Sequence, residues 1–260
     1  LWGLDGTFFI YKIHFMDVKT AARTLDVFET FAAQCRPLRL SELAIALDAP
    51  VSSCYQLVRT LQRRGYVYAL QGKSYYPTRR GFENAKLIDA ADPLLRIAHP
   101  VLERLRDETG ESALIAQHAE HNIMILDIVE STQAVRYSTR PGTLRYLHSS
   151  SAGKALLAGM TREERDRWLP DPLPTLTPTT LPTRARLEKD LAAGRARGWF
   201  ESRGETDADL HSVAMPVDLG GGPLALSVAG PVTRFSANRG SHVAALRRAV
   251  AALSEREAGS

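Results

Sequence analysis

Cysteine is nearly absent: Cys35 and Cys54 are the only two in 260 residues. That count excludes a disulfide scaffold and a structural zinc site built on thiolates. A reducing, cytoplasmic compartment is the expectation. Apolar runs are short, none approaching the roughly 18 residues needed to cross a bilayer, so no membrane partner is expected. The apolar first fifteen residues are interrupted by Asp5, Lys12 and His14. No basic segment precedes them and no small-residue cleavage site follows. Residues 1–16 are read as an N-terminal extension arising from a mis-assigned start upstream of Met16, the alternative being a genuine arm. Carboxylates are missing altogether from Ala49 to Phe82, a stretch that holds six cations.

What is present is a globular chain, 44% hydrophobic and 24% charged, which excludes wholesale disorder and a polytopic membrane protein. Its charge is unevenly spread. The whole carries 33 Lys and Arg against 29 Asp and Glu, a net of +4. Residues 17–82 hold ten cations and five carboxylates, +5, leaving the remainder near neutral. A local basic excess of this kind points to a polyanion partner for the N-terminal part; a solvated basic face is the plainer alternative.

The pattern in that segment favours DNA. Ala21, Leu25, Phe28 and Ala32 recur at the spacing of one helix face, and Pro37 ends that helix. Ser41 is expected to cap a second, short helix carrying Leu40, Leu43, Ala44 and Leu47. Asp48-Ala49-Pro50 makes a turn. Ser52 or Ser53 is expected to cap a third helix that Gly65 stops. At 100° per residue, Cys54, Leu57, Val58 and Leu61 form its buried side, and Ser52, Gln56, Arg59 and Arg63 cluster opposite. Arg can fork onto guanine, Gln onto adenine, and Ser onto phosphate. Tyr66–Leu70 and Ser74–Tyr76 then flank Gln71-Gly72-Lys73 as a hairpin, a wing with a basic tip. The candidate DNA contacts are Ser52, Ser53, Tyr55, Gln56, Arg59, Arg63 and Lys73.

These residues resemble the winged helix of the IclR family of bacterial regulators: Leu40-Ser41-Glu42-Leu43-Ala44, Ala49 to Tyr55, Leu61 and Gly65-Tyr66-Val67. Farther on, Pro100–Leu105 with Thr109-Gly110-Glu111-Ser112, Ser149–Ala158, Arg197-Gly198-Trp199, Glu205, Val213–Val217 and Ser227–Pro231 resemble that family's later motifs in order. The likeness spans roughly residues 18 to 250. Two positions depart from it: Gln56, where the family commonly has Arg, and Asp209, where it usually has Gly.

Asp92-Pro93 breaks a helix-permissive stretch from Arg79 to about Ile88. The expected domains are therefore 17–80, a winged helix-turn-helix; 81–93, a linker helix; and 94–260, a second domain. In the last, Ala113–Ala119, Ile123–Val129 and Ala134–Ser138 read as strands, with His121-Asn122 in the first turn. Leu187–Arg197 reads as a helix after a Pro/Thr-rich loop. Val213–Leu219 and Leu224–Ala229 read as a hairpin about Gly220-Gly221-Gly222-Pro223, and Ala237–Leu253 as a closing helix. The mixture is α+β, an antiparallel sheet flanked by helices, which the resemblance makes a GAF-like effector domain. The resemblance also implies an effector pocket lined by Ser151, Ala152, Ser202, Leu210, Ser212, Ser227 and Ala229. Such a lining suits a compact ligand with several oxygens. An arginine between Arg136 and Arg145 is available to a carboxylic acid.

Other chemistry is weighed and set aside. Ser151-Ala152-Gly153-Lys154 matches the Ser-x-x-Lys signature of penicillin-recognising hydrolases, but the chain has no Lys-Thr-Gly and no Ser-Asp-Asn. His118 and His121 are expected on opposite faces and exposed, not as metal ligands. Glu201, Glu205, Asp207 and Asp209 are expected to be solvated. No cofactor, metal or catalytic residue is expected. The leading reading is a repressor, homodimeric or tetrameric, binding a double-stranded operator under control of a small organic effector. A Ser-x-x-Lys hydrolase or other small-molecule enzyme with an appended winged helix is the alternative, and a module docking an acidic protein a third reading.

Overall fold

A computed structural model describes residues 18–71 and 73–258, so the expectation for residues 1–16 lies outside the described residues. The chain divides into two compact units between Ala91 and Asp92.

In the first unit, α1 (Lys19–Gln34) is followed by β1 (Leu38–Arg39), α2 (Leu40–Ala46), α3 (Val51–Arg63), β2 (Val67–Leu70), β3 (Ser74–Pro77) and α4 (Arg80–Ala90). Strands β2 and β3 pair antiparallel with Leu70 opposite Ser74, and β1 adds to the other edge of β3 with Leu38 opposite Tyr75. That third strand has too few residues to show a period and was not expected. Val27, Phe31, Leu38, Leu43, Cys54, Val58, Leu61 and Val67 make the core. Asp48, with φ +45, makes the turn between α2 and α3, a conformation that Asp tolerates. Gly65, with φ +76, closes α3.

Three local expectations are corrected. The buried face of α1 is Val27 and Phe31, with Phe28 half-buried; Ala21, Leu25 and Ala32 are exposed. The true stripe, Thr24-Val27-Phe28-Phe31, begins on a polar residue and shares only Phe28 with the expected one. It wins because Phe31 and Phe28 pack edge-on against Tyr76 and Tyr66 of the hairpin, each large side chain contributing about 2 kcal/mol on burial. Ser41 does not cap α2: the helix starts at Leu40, and Glu42 reaches back to accept the Arg39 N–H at 2.7 Å. Nor do Ser52 and Ser53 cap α3, which starts at Val51 behind Pro50; both serines lie exposed in its first turn.

The second unit opens with Asp92, which caps α5 (Pro93–Thr109) by accepting the N–H groups of Leu94 and Leu95. Asp92-Pro93 thus begins a helix as well as ending one. Then come β4 (Ser112–Ala119), β5 (Asn122–Val129), β6 (Leu144–Tyr146), α6 (Ser151–Gly159), α7 (Arg162–Trp168), α8 (Arg184–Arg197), β7 (Phe200–Arg203), β8 (Leu210–Asp218), β9 (Pro223–Pro231) and α9 (Val232–Ala258). The six strands form one antiparallel sheet in the order β6-β5-β4-β9-β8-β7. Alternation sends Ile115, Val213, Leu226 and Val228 to one face with α5 and α9, and Leu114, Ala214 and Ala225 to the other with α6 and α8. Residues 134–138 are not a strand; they form an irregular segment tied down by Ser112, whose hydroxyl donates to the Tyr137 carbonyl at 2.6 Å. The sheet edge there is β6. The β4–β5 turn is Glu120-His121, with Glu120 at φ +53, and Asn122 already belongs to β5.

Candidate nucleic-acid interface and small-molecule cavity

On α3 the two faces separate as the periodicity requires. Cys54, Val58 and Leu61 are buried, whereas Ser52, Ser53, Tyr55, Gln56, Arg59 and Arg63 are all exposed. Among the described residues no carboxylate pairs with Arg59, Arg63 or Lys73, so their charges face solvent unneutralised. Lys73 sits at the wing tip with φ +61, just before β3. A 13-residue helix with a polar, cationic outer face and a basic hairpin beyond it has the dimensions and donors to enter a major groove.

In the second unit, a cavity opens between the sheet and the start of α6. Ser151, Ala152, Leu210, Ser212, Ser227 and Ala229 line it, joined by Leu114, Ile123, Ile125, Tyr137, Arg145, Ser150 and Thr206. Its free volume is about 30 Å³. Ser202 does not line it. That hydroxyl is buried and donates to the Ser149 carbonyl at 2.6 Å, as Thr206 does at 2.9 Å. Alternation along β7 puts Ser202 under α6, where it locks the loop entering the helix.

Three serines from three elements meet in the cavity. Ser151 Oγ donates to Ser212 Oγ at 2.8 Å and lies 3.2 Å from Ser227 Oγ, while Ser227 donates to the Val213 carbonyl at 2.9 Å. Two of the three hydroxyl protons are thereby used, leaving that of Ser212 for a ligand. Arg145 is the one charged side chain in the lining; Arg136, also considered, is held by Glu130 at 2.9 Å. The cavity thus presents an apolar wall with hydroxyls and one guanidinium.

Lys154 belongs to a separate network. Its buried ammonium donates to Glu205 Oε1 at 2.6 Å and the Glu201 carbonyl at 3.0 Å, and pairs with Asp190 Oδ2 at 2.9 Å. As an ammonium held by two carboxylates and a carbonyl it has no lone pair with which to activate Ser151. Burial pushes the Glu205 carboxyl up to about 6, with Asp190 adding to the rise and Lys154 opposing it. A folded value above the ordinary 4.5 means the native state holds the proton more tightly. The stability this carboxyl contributes is therefore present below pH 4.5 and is lost as the pH rises through about 6. Measured against Glu205→Gln, the wild-type stability should fall across that window. A pH-independent difference between the two proteins would count against it.

The other acids and histidines also differ from expectation. Glu201 accepts from His211 Nε2 at 2.7 Å and pairs with Arg239 at 3.3 Å, while His211 Nδ1 meets Ser236 Oγ at 2.9 Å. Only Asp207 and Asp209 of the four acids are exposed. In the Ser236-His211-Glu201 chain His211 is buried, and Ser236 lies in the second turn of α9. His118 and His121 are half-buried, because the positive-φ turn at Glu120 lets both rings pack against Trp168. Among the described residues no group of three His, Cys, Asp or Glu is placed to hold a metal ion.

A winged helix-turn-helix followed by an α+β unit with a small, largely apolar cavity is the architecture of a two-domain DNA-binding regulator. The family model for the IclR helix-turn-helix domain matches residues 20–70, and that for the bacterial transcriptional regulator IclR C-terminal domain matches residues 87–255. The chain is 30% identical over 228 residues to the transcriptional repressor IclR of Escherichia coli (strain K12), covering 85% of this chain and 83% of that one. It is also 30% identical over 235 residues to the acetate operon repressor of Salmonella typhimurium, covering 88% and 86%. A solved IclR homolog from Microbacterium hydrocarbonoxydans, complexed with 4-hydroxybenzoate, shares the fold at TM-score 0.77, with 24% identity over 93% of this chain and 100% of that one. The protein belongs to the IclR family and is a DNA-binding transcriptional regulator. Among the described residues no helix is long and apolar enough to cross a membrane.

Proposed function

We propose that the protein is a cytoplasmic, non-enzymatic repressor whose operator affinity is set by a small carboxylic acid bound in the second domain. Residues 17–80 bind DNA, 81–93 link, and 94–260 sense. Two protomers lay the Ser52–Arg63 face of α3 into successive major grooves of a pseudo-palindromic operator, with Lys73 on the flanking backbone. The repressor assignment rests on relatives named as repressors, and the small effector on the solved homolog named as binding 4-hydroxybenzoate. The observation that carries the effector class is the three-serine cluster beside Arg145, the one cation lining the cavity.

A free volume of about 30 Å³ has room for about two waters, so the lining moves apart to admit an organic acid. Ligand binding then favours one arrangement over another, which is what a coupling of effector to operator requires. The test is a gel shift on the DNA upstream of the protein's own gene, titrated with small carboxylates. Ser212→Val should raise the concentration of acid needed for release by about tenfold, through loss of one hydroxyl contact to a charged group. Effector-free DNA binding should stay within about twofold of wild type. An unaltered response in Ser212→Val would reject the cavity as the effector site. Turnover of an activated ester, abolished by Ser151→Ala, would reject the non-enzymatic assignment.

A further inference from the structure

We propose that Arg39 is a second anchor for the DNA backbone, gripping with Lys73 a phosphate beside the wing; this rests on the DNA-binding reading above. The short strand β1 alternates, with Leu38 buried at 2% exposure and Arg39 facing out. Pairing with β3 sets Arg39 opposite Ser74, the residue after Lys73. Two cations far apart in the chain are thereby brought to one end of the sheet. They border an open depression of about 520 Å³ lined by Arg39, Leu40, Ser41 and Lys73. A guanidinium, an ammonium and a hydroxyl line it with no carboxylate among them, a donor set that suits a phosphodiester.

The nearby acid is already committed elsewhere. Glu42 uses one oxygen to accept the Arg39 backbone N–H and the other to pair with Arg36 at 2.8 Å, and these bonds hold its carboxyl below the usual range. The Arg39 guanidinium is therefore left without a carboxylate partner among the described residues. Arg39 also stands at the N-cap of α2, where Ser, Thr, Asp or Asn is favoured, yet arginine has no acceptor to offer a helix N–H. The Arg39 charge helps keep Glu42 ionised, yet the exposed guanidinium makes no ion pair among the described residues and, at the rim of a basic depression, is available to the duplex. The contact is to backbone, so it supplies affinity irrespective of base sequence.

The test measures binding of the full chain against salt concentration, on the duplex upstream of its own gene and on a mixed-sequence duplex. R39A should weaken both by a similar factor, about five- to tenfold at physiological salt, and make the log–log salt slope shallower by about one. R39K should retain the slope, and the neutral R39Q should lose it while melting at the wild-type temperature. If both cations grip one phosphate, the R39A/K73A double variant loses less than the two single losses combined. Wild-type affinity and slope in R39A, or a loss confined to the upstream duplex, would overturn the proposal while leaving DNA binding intact. No salt-dependent binding by the wild-type chain would overturn the DNA reading itself.

Discussion

Replacing Arg59 and Arg63 together by alanine should abolish the gel shift on the upstream duplex while the protein remains folded. Both residues are exposed on α3, and among the described residues neither has an acidic partner. Their removal therefore exposes no buried charge and opens no cavity; substitutions of this kind change stability by less than about 0.5 kcal/mol. Their loss in the complex is large. A guanidinium forked onto a base contributes about 1–3 kcal/mol of discrimination, and each cation withdrawn from the phosphate field also lowers affinity. Together the two changes should cost about a hundredfold or more in affinity. Gln56→Ala, by contrast, should alter base preference at one position without flattening the salt dependence. Retained operator binding by the double variant, with its melting temperature unchanged, would show that another face meets DNA.

The second large effect is structural. Gly153 lies in the first turn of α6, and a Cβ there would sit 2.2 Å from the Leu147 carbonyl oxygen and 2.6 Å from the Leu147 Cα. The obstructing atoms are backbone, and Leu147 is itself fully buried, so neither side can give way cheaply. Gly153→Ala should destabilise the second unit by about 3 kcal/mol or more, lowering its melting temperature by roughly 10 °C. The effector response should be lost as well, since Ser151 and Ala152 of the same turn line the cavity. Gly159→Ala, near the end of the same helix with nothing within 4 Å of the added methyl, is the control and should be neutral or slightly stabilising. Equal melting temperatures for the two variants would refute the close packing.

The exposed polar face of α3 was legible because one uninterrupted apolar stripe, Cys54 to Leu61, leaves a single opposite face. On α1, two stripes sharing Phe28 competed, and the choice went to the one whose aromatic rings meet the hairpin, a contact with no local signature. The cavity lining was expected from the family resemblance, not from periodicity, and the structure shows why the resemblance placed some residues and not others. Residues spaced two apart on β9, Ser227 and Ala229, share a face whatever their partners, whereas Ser202 has the right chemistry on a strand whose placement turns it under α6. Thr206 and Tyr137 lie in irregular segments, where no period exists to orient a side chain. Arg145 became distinguishable from Arg136 only when Glu130 was seen to hold the latter.

The sequence alone determined the winged helix-turn-helix, the hairpin about the glycine-rich turn and the polar side of α3 left exposed. Each is a matter of periods and breakers acting over a few residues. Tertiary structure decided which distant groups are joined: Lys154 with Glu205 and Asp190, the three serines, and Arg39 with Lys73. Those pairings depend on strand order and register across long separations. Backbone hydrogen bonding alone leaves register nearly degenerate, and it is selected by the burial of many side chains at once.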